Sequence, residues 1–447
     1  MRKRYFILLL LTLLSVITYL DRLCISVAGP SMQEDLGLSP EQWGWVMGAF
    51  ALTYALFEIP SGAWGDSFGR KNVVTRIVLW WSGCTALTGL TSRFGTLVAV
   101  RALFGMGEAG AYPNISGCVA QWFPATERAR AQGIVWGASR VGGALAPLVV
   151  VPLIAWLGWR EAFWGASLLG LVWAVGWHRW YHNDPRTYPG ITAQELTEID
   201  ASGAGPGHRH IPWKKIFSNS QVWRIMAMYW CYVWGSMFYL TWFPTYLVKG
   251  RGFSQGEMAV FASLPFIMGA IGNLAGGVLS DKLAQKYGIK TSRRLVGSVC
   301  LALSAVCLFL TAATTGKLTG IVFLALGFGI MDCMLPSAWA LCLDVGKDYA
   351  GAVSGAMNSA GNLGGFLCSV VFGYLVQASG QYNLPVVVIG VMVMVSAVLF
   401  LRIDPDKKVE SELDFCKMDI GPTLGRKNLV PRFFLPKSYL PPGKDLR

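Results

Sequence analysis

The chain has 447 residues, of which 53% are hydrophobic and only 14% are charged, with a formal net charge of +13. A soluble domain carries about a quarter charged residues, so this composition excludes an ordinary soluble protein. The apolar residues come in blocks of about 20, which is the length of a bilayer-spanning helix. Basic cytoplasmic loops then explain the positive charge better than a nucleic-acid partner does.

Twelve spans are predicted, which indicates an all-α polytopic membrane protein. The first follows Met-Arg-Lys-Arg and is interpreted as an uncleaved span, because its apolar run is too long for a signal peptide. The approximate spans are 5–28, 42–63, 76–93, 96–120, 131–156, 161–181, 221–247, 258–280, 295–313, 319–344, 351–378 and 385–402.

The order of the spans predicts two six-helix bundles, residues 1–181 and 221–402. Residues 182–220 between them are rich in Pro, Gly and charge and are interpreted as a linker, with a short helix at 192–199. Residues 403–447 are expected to be a disordered tail, because most of this segment is basic and proline-containing without helical periodicity.

Basic loops set the predicted topology. Arg70, Lys71 and Arg76 follow the second span and five basic residues lie at 282–294, whereas the loop 29–41 has no Lys or Arg. Both termini and the linker are therefore predicted on the cytoplasmic side, with Lys249 and Arg251 in an outward loop as exceptions.

One loop pattern occurs twice. GAWGDSFGRK (62–71) follows the second span and GVLSDKLAQK (277–286) follows the eighth. Equivalent loops in two halves are typical of a rocking transporter with its site between them. The first loop resembles the signature of the major facilitator superfamily, which implies a cytoplasmic gate; a tight charged turn set by topology alone is the alternative. The predicted gate residues are Gly62, Asp66, Gly69, Arg70, Lys71 and Asp281.

Charged residues inside the predicted spans are candidates for function, because a charge at the bilayer centre costs at least about 2.5–3.5 kcal/mol. Arg101 and Glu108 are two helical turns apart in the fourth span and project from roughly one face. They form either a structural salt-bridge network or a proton-binding carboxylate tuned by an arginine. The other charges of the first half are Asp21, Arg22, Glu58 and Arg140.

Arg140 lies in the middle of the fifth span, beside small residues. An anion or an acidic partner such as Glu108 is its expected counterpart, which favours a place in the binding cavity. Glu58, near the cytoplasmic end of the second span, either pairs with a gate arginine or takes part in transport.

The second half carries few charges, mainly Asp332 and Asp344, and offers Ser337, Asn358 and Asn362 instead. The two asparagines are four residues apart and share a helix face. They either hold helices together or bind a hydroxylated ligand. We therefore expect the first half to bind the ionic part of a substrate and the coupling ion, and the second half to bind its hydroxyls.

Several motifs together resemble the anion:cation symporter family of that superfamily. They are YLDR, RALFGMGEAGAYPN, WFPATERARAQG, FYLTWFPTYLVKGRGFS and MNSAGNLGGFL, and the resemblance extends to about residue 405. The family includes bacterial hexuronate, aldarate, galactonate and phthalate permeases, vesicular glutamate transporters and sialin. It implies proton-coupled uptake of an organic anion.

The resemblance also implies roles for single residues. Asp21 and Glu108 match the protonation sites of sugar-acid members, and Arg22 matches the arginine that contacts the substrate carboxylate. Arg140 occupies a position where galactonate-type members have glutamine. The additional cationic group favours either a more acidic substrate, such as a dicarboxylate, or an altered coupling network. Further substrate-site positions implied by the resemblance are Arg101, Tyr19, Tyr54 and Asn358.

The predicted function is proton-coupled symport of a sugar acid: a hexuronate, an aldonate or an aldarate. The alternatives are another carboxylate, such as an aromatic acid, and a non-transporting sensor on the same fold. An enzyme is not expected, because the four histidines lie at the end of the sixth span or in the linker, away from any nucleophile. We expect no metal and no cofactor besides the proton, and a monomer in the bacterial inner membrane.

Overall fold

The computed structural model describes residues 2–200 and 213–409, and within them no strand occurs. Helices occupy nearly all of the described chain. They are α1 Lys3–Asp35, α2 Pro40–Phe68, α3 Arg70–Gly89, α4 Phe94–Glu108, α5 Ala111–Trp122, α6 Ala125–Leu157, α7 Trp159–Trp180, α8 Ala193–Asp200, α9 Trp213–Ser218, α10 Ser220–Thr241, α11 Phe243–Thr245, α12 Gln255–Tyr287, α13 Ile289–Ala313, α14 Lys317–Asp332, α15 Leu335–Gly346, α16 Ala350–Ser379 and α17 Asn383–Leu401.

The all-α membrane architecture confirms the predicted fold class. Bilayer-spanning segments must satisfy their backbone internally, which favours helices. Seven segments of the described chain are long and apolar enough to cross a membrane by length and composition alone. They are Lys3–Asp35, Arg130–Leu157, Gln255–Tyr287, Ile289–Ala313, Lys317–Gly346, Ala350–Ser379 and Asn383–Leu401.

The two halves repeat one packing pattern. In the first half α1 packs on α6, α2 on α4, and α3 on α4 and α7. In the second half α10 packs on α16, α12 on α14, and α13 on α14 and α17. Local signals repeat as well, because Ser39 caps α2 and Ser254 caps α12, each in a capping box. The halves are thus pseudo-symmetric.

The fourth and tenth spans break at equivalent points. Helix α4 ends at Glu108 and α5 begins three residues later, at Ala111, while α14 ends at Asp332 and α15 begins three residues later, at Leu335. Pro113 lies in the first turn of α5 and Pro336 in the first turn of α15. Because proline has no N–H, neither residue can donate a hydrogen bond to a carbonyl of the preceding turn. Glu108 and Asp332 thus place a carboxylate at each break.

The halves contact each other closely at the far end, by which we mean the end that contains the loops 36–39, 251–254 and 380–382. Helix α2 packs on α16, α6 on α12, and α1 on α10 and α11. A Cβ added to Gly44 would lie 2.7 Å from the Ser369 carbonyl oxygen, so α2 and α16 approach at backbone distance. The opposite end, where α1 begins, is called the near end.

Some predicted boundaries were wrong. Helix α1 continues past residue 28 to Asp35, and Gly29 in this extension packs against Trp43. Disorder from residue 403 is wrong for 403–409, because the Val409 N–H donates to the Val345 carbonyl at 2.8 Å and Ile403 is fully buried. The rest of the predicted tail, 410–447, and residues 201–212 of the linker lie outside the described residues. The short linker helix expected at 192–199 is α8.

Candidate functional site

An ion pair between Arg22 of α1 and Glu108 of α4 forms the centre of the candidate site. Arg22 Nε donates to Glu108 Oε1 at 2.5 Å, and the side chains are 16% and 1% exposed. A charged carboxylate is disfavoured by burial and by the C-terminal end of a helix, so Glu108 requires a cationic partner. Arg22 Nη2 and Glu108 Oε2 have no hydrogen-bond partner in the described part of the chain. The pair keeps one donor and one acceptor available.

Aromatic rings surround the Arg22 guanidinium. Its Cζ lies 4.8 Å from the ring centre of Tyr54, 5.4 Å from Phe50, 5.6 Å from Tyr19 and 5.8 Å from Tyr112. Rings at these distances attract a cation and orient the planar guanidinium. The structure thus brings the predicted residues Tyr19 and Tyr54 to Arg22. Phe50 and Tyr112 were missed, although Phe50 lies four residues before Tyr54 on one helix face.

Asp21 lies beside this pair and is 2% exposed. Neither of its carboxylate oxygens accepts a well-aligned hydrogen bond from the described residues; it interacts with the Trp81 side chain, and electrostatically with Glu108 and Arg101. Arg101 is also buried and stacks on Phe104 at 4.5 Å. Among the described ion pairs within 4.0 Å, the partner of Glu108 is Arg22 and not Arg101. Arg101 therefore belongs to the charge network without contacting Glu108 directly.

A second ion pair joins the two halves. Arg140 Nη2 of α6 lies 2.8 Å from Asp332 Oδ2 of α14, and the side chains are 11% and 0% exposed. The Tyr232 hydroxyl donates to Asp332 Oδ1 at 3.4 Å. Arg140 has the acidic partner that its position predicts, but this partner is Asp332 instead of Glu108. The signal that could have identified Asp332 is its match to Glu108 at a break before a proline.

A hydrogen bond between Asn358 of α16 and Glu58 of α2 also crosses between the halves. Asn358 Nδ2 donates to Glu58 Oε1 at 2.6 Å. Glu58 interacts electrostatically with Arg22, so it belongs to the surroundings of the site. A gate arginine was one of the two predicted alternatives for Glu58, and the hydrogen-bond partner that the described residues give it is Asn358. Asn362 donates to the Asn358 carbonyl at 3.1 Å, one turn back on the same helix.

Ser337 is not brought to this cluster. Its hydroxyl donates to Ser280 Oγ at 3.1 Å, and Arg293 donates to the same atom at 2.6 Å. Ser280 immediately precedes Asp281, the exposed aspartate of the second predicted gate loop. Ser337 therefore packs beneath that loop, at the near end of the second half.

The first predicted gate loop also lies at the near end. Gly69 separates α2 from α3 with a φ of +80°, a conformation that favours glycine. The Lys71 N–H donates to Asn183 Oδ1 at 2.8 Å, and the Arg70 side chain covers Gly117 of α5. The remaining gate residues are Gly62 and Asp66, whose side-chain surroundings lie outside what the structure describes.

Helix α8 binds the beginning of α1. Glu195 accepts hydrogen bonds from the backbone N–H groups of Lys3 and Arg4, so it caps the first span. The fully buried Arg4 guanidinium contacts Glu198 at 2.8 Å and Glu127, before the fifth span, at 2.9 Å. This near-end clasp was not predicted. No group of three or more His, Cys, Asp or Glu within residues 2–200 and 213–409 could hold a metal ion.

Comparisons with known proteins agree with this fold. The family model described as Major Facilitator Superfamily matches residues 11–369. A probable sulfoacetate transporter, SauU, of Cupriavidus necator is 36% identical over 92% of this chain and 96% of its own. The hexuronate transporter of Bacillus subtilis is 33% identical over 84% and 89%. A probable galactarate/D-glucarate transporter, GudP, of Escherichia coli is 30% identical over 91% and 95%.

Solved structures share the fold at low sequence identity. A bacterial homologue of the human lysosomal transporter Spinster, in an inward-facing and occupied conformation, has a TM-score of 0.76 at 19% identity and covers 91% of this chain and 98% of its own. A D-xylose-proton symporter has a TM-score of 0.70 at 17% identity over 91% and 99%. The chain therefore belongs to the major facilitator superfamily and is a multi-pass membrane transporter of organic anions, not an enzyme.

Proposed function

We propose that this transporter takes up its organic anion together with protons, by alternating access of the halves 1–181 and 221–402. The Arg22–Glu108 pair carries the proposal, because it places a guanidinium with an available N–H beside a carboxylate with an available oxygen inside a membrane bundle. Arg22 anchors the substrate anion. Asp21 and Glu108 hold the coupling protons.

The pair links proton binding to substrate binding. When Glu108 takes up a proton, the positive charge of Arg22 is no longer balanced and attracts the substrate carboxylate. That carboxylate can then bind the guanidinium through two hydrogen bonds. Asp21, whose two oxygens accept no well-aligned hydrogen bond within the described part of the chain, provides a second place for a proton. By thermodynamic reciprocity, the bound anion in turn favours the protonated carboxyls.

For the substrate we propose a sugar acid, with another small carboxylate or an aromatic acid as the alternative. Hexuronate and galactarate/D-glucarate transporters among the relatives support this class. The rings of Tyr19 and Tyr54 lie against Arg22, and the Asn358 amide lies on the opposite half. Hydroxyl and amide groups of this kind can hydrogen-bond a hydroxylated chain.

We place the near end in the cytoplasm of a bacterial inner membrane, because the basic loops lie there. The gate loops around Asp66 and Asp281 then close the near end when the far end opens. The backbone contacts between α2 and α16 at the far end support a conformation that is closed on that side. Because one chain contains both halves, a monomer is sufficient.

Uptake into proteoliposomes by the purified full chain tests the proposal. The vesicles are acidic outside and neutral inside, and glucuronate, glucarate and sulfoacetate are supplied in separate reactions. We expect accumulation of at least one anion above its outside concentration, abolished by a protonophore. Accumulation that requires a sodium gradient would contradict proton coupling, and uptake of neither glucuronate nor glucarate would overturn the sugar-acid class.

A further inference from the structure

We propose that Arg140 is a second anion subsite, which Asp332 occupies before the substrate binds and which the second anionic group of a dianionic substrate takes over. This inference rests on the proposed function. It adds that the substrate is a dianion and that the Arg140–Asp332 pair selects this charge.

The Arg140–Asp332 contact has the properties of a replaceable pair. Arg140 Nη2 and Asp332 Oδ2 are 2.8 Å apart, but Oδ2 has no aligned hydrogen bond from the described residues. Among the hydrogen bonds of the described residues, the other carboxylate oxygen has only the 3.4 Å contact with the Tyr232 hydroxyl. A substrate carboxylate or sulfonate that binds the guanidinium through two aligned N–H groups would be held better. Arg140 keeps 11% of its side chain exposed, so the subsite is reachable.

The pair repeats the design of the first anion site. Glu108 and Asp332 are each the last residue of the first helix of a broken span, α4 or α14. Each is buried and has an arginine partner, and each arginine faces an aromatic ring, as Arg140 faces Phe328 at 5.5 Å. Because Glu108 is proposed to release Arg22 to the substrate, the same geometry predicts that Asp332 releases Arg140.

Both guanidinium groups border one tyrosine-lined region. Tyr19 lies against Arg22 at 5.6 Å and also interacts electrostatically with Arg140. Tyr229 interacts electrostatically with both Tyr19 and Arg140. Helices α1 and α6, which carry the two arginines, pack directly on each other. A short chain with an anionic group at each end can therefore contact both arginines.

The exchange also couples substrate binding to the contact between the two halves. Arg140 belongs to the first half and Asp332 to the second, so a substrate group that replaces Asp332 breaks an ion pair between them. A purely structural link between α6 and α14 would stabilise one conformation without distinguishing substrates by charge. Preference for a dianion over the matching monoanion therefore separates the two interpretations.

The test uses glucarate and gluconate, which share a six-carbon chain and differ by one terminal carboxylate. Their Kd values are measured by isothermal titration with the purified full chain. For the unsubstituted protein we expect glucarate to bind about tenfold more tightly, as one additional charged hydrogen-bonded contact provides. Arg140→Gln should bring the ratio of the two Kd values close to one. Asp332→Asn should tighten glucarate binding, because the competing carboxylate is gone.

Two further variants keep the test decisive. Arg140→Gln combined with Asp332→Asn removes both buried charges, so it gives the same readout if the single arginine variant does not fold. Arg160→Gln, in an exposed pair with Asp35, is the matched control and should keep the original ratio.

An unchanged ratio in the Arg140 variants, or no glucarate preference in a protein that accumulates an anion with protons, would overturn this inference alone. Failure to bind or transport glucarate, glucuronate and sulfoacetate would overturn the proposed function and this inference with it.

Discussion

The Asn358 amide of α16 donates a hydrogen bond to the Glu58 carboxylate of α2 at 2.6 Å, and the two residues belong to opposite halves of the transporter. Glu58 Oε2 has no partner among the described residues. Within the described chain, the Asn358 amide therefore provides the one hydrogen bond to the Glu58 carboxylate, which is buried and interacts electrostatically with Arg22. It connects the state of the site to the position of the second half.

Asn358→Ala should destabilise this conformation, because it leaves the buried Glu58 carboxylate without a donor. Loss of such a partner costs about 1–3 kcal/mol. Adding Glu58→Gln should restore part of the loss, since a neutral amide costs less to bury than a charge. Thermal melting of the purified protein measures both changes. Asn362→Ala on the same face is the control, and purely additive effects of the Glu58 and Asn358 substitutions would contradict the coupling.

Arg22→Lys should weaken anion binding although it keeps the charge. A lysine ammonium lacks the planar donor fork that fits four rings and a carboxylate at once. We expect Kd for glucarate to rise by at least about tenfold, corresponding to about 1.4 kcal/mol. Isothermal titration measures the change, with Arg160→Lys at the exposed pair as control. Unchanged affinity in Arg22→Lys would show that the substrate binds elsewhere.

Arg4→Gln should lower stability more than Arg2→Gln does. Both arginines contact Glu198, but the Arg4 side chain is fully buried and also contacts Glu127, whereas Arg2 is exposed. Exposed ion pairs contribute at most about 1 kcal/mol, whereas removal of a buried partner costs more. The melting temperatures of the two variants give the comparison. Equal shifts would contradict a stabilising role for the near-end clasp.

Gly44→Ala should disfavour the closed far end. The added Cβ would lie 2.7 Å from the Ser369 carbonyl oxygen, so α2 and α16 cannot keep their present distance. Gln33→Cys, buried at this end beside Thr245, reports opening through its rate of reaction with a membrane-impermeant maleimide. We expect faster labelling with Gly44→Ala and no change with Gly83→Ala, where a Cβ meets no atom within 4 Å. Equal rates in both backgrounds would refute the far-end contact as a gate.

Much of the fold was predictable because the bilayer restricts the choice. Apolar blocks of about 20 residues have to be helices in lipid, and the repeated loop around Asp66 and Asp281 indicated two equivalent halves. Helix ends were less predictable. Pro113 disfavours a continuous helix, but the residue at which α4 ends depends on how Glu108 and its surroundings pack. Order at 403–409 arises from contacts with the second half, such as Val409 with Val345.

The residues of the site were more predictable than the ion pairs that they form. Buried charges are rare enough to identify Asp21, Arg22, Glu108 and Arg140 from sequence. The spacing of residues along one helix predicted only that Arg101 and Glu108 lie on the same face. The pairs Arg22–Glu108 and Arg140–Asp332 join different helices, so their partners depend on tertiary packing that no local pattern records.

The central claim is that the Asp21 and Glu108 carboxyls carry the coupling protons. The most direct measurement compares two activities of Asp21→Asn and Glu108→Gln in proteoliposomes, using the anion that the unsubstituted protein accumulates. Counterflow exchanges labelled for unlabelled substrate and needs no net proton movement, whereas accumulation driven by an imposed pH gradient does. Both variants should keep counterflow and lose pH-driven accumulation. Full pH-driven accumulation by both variants would contradict it.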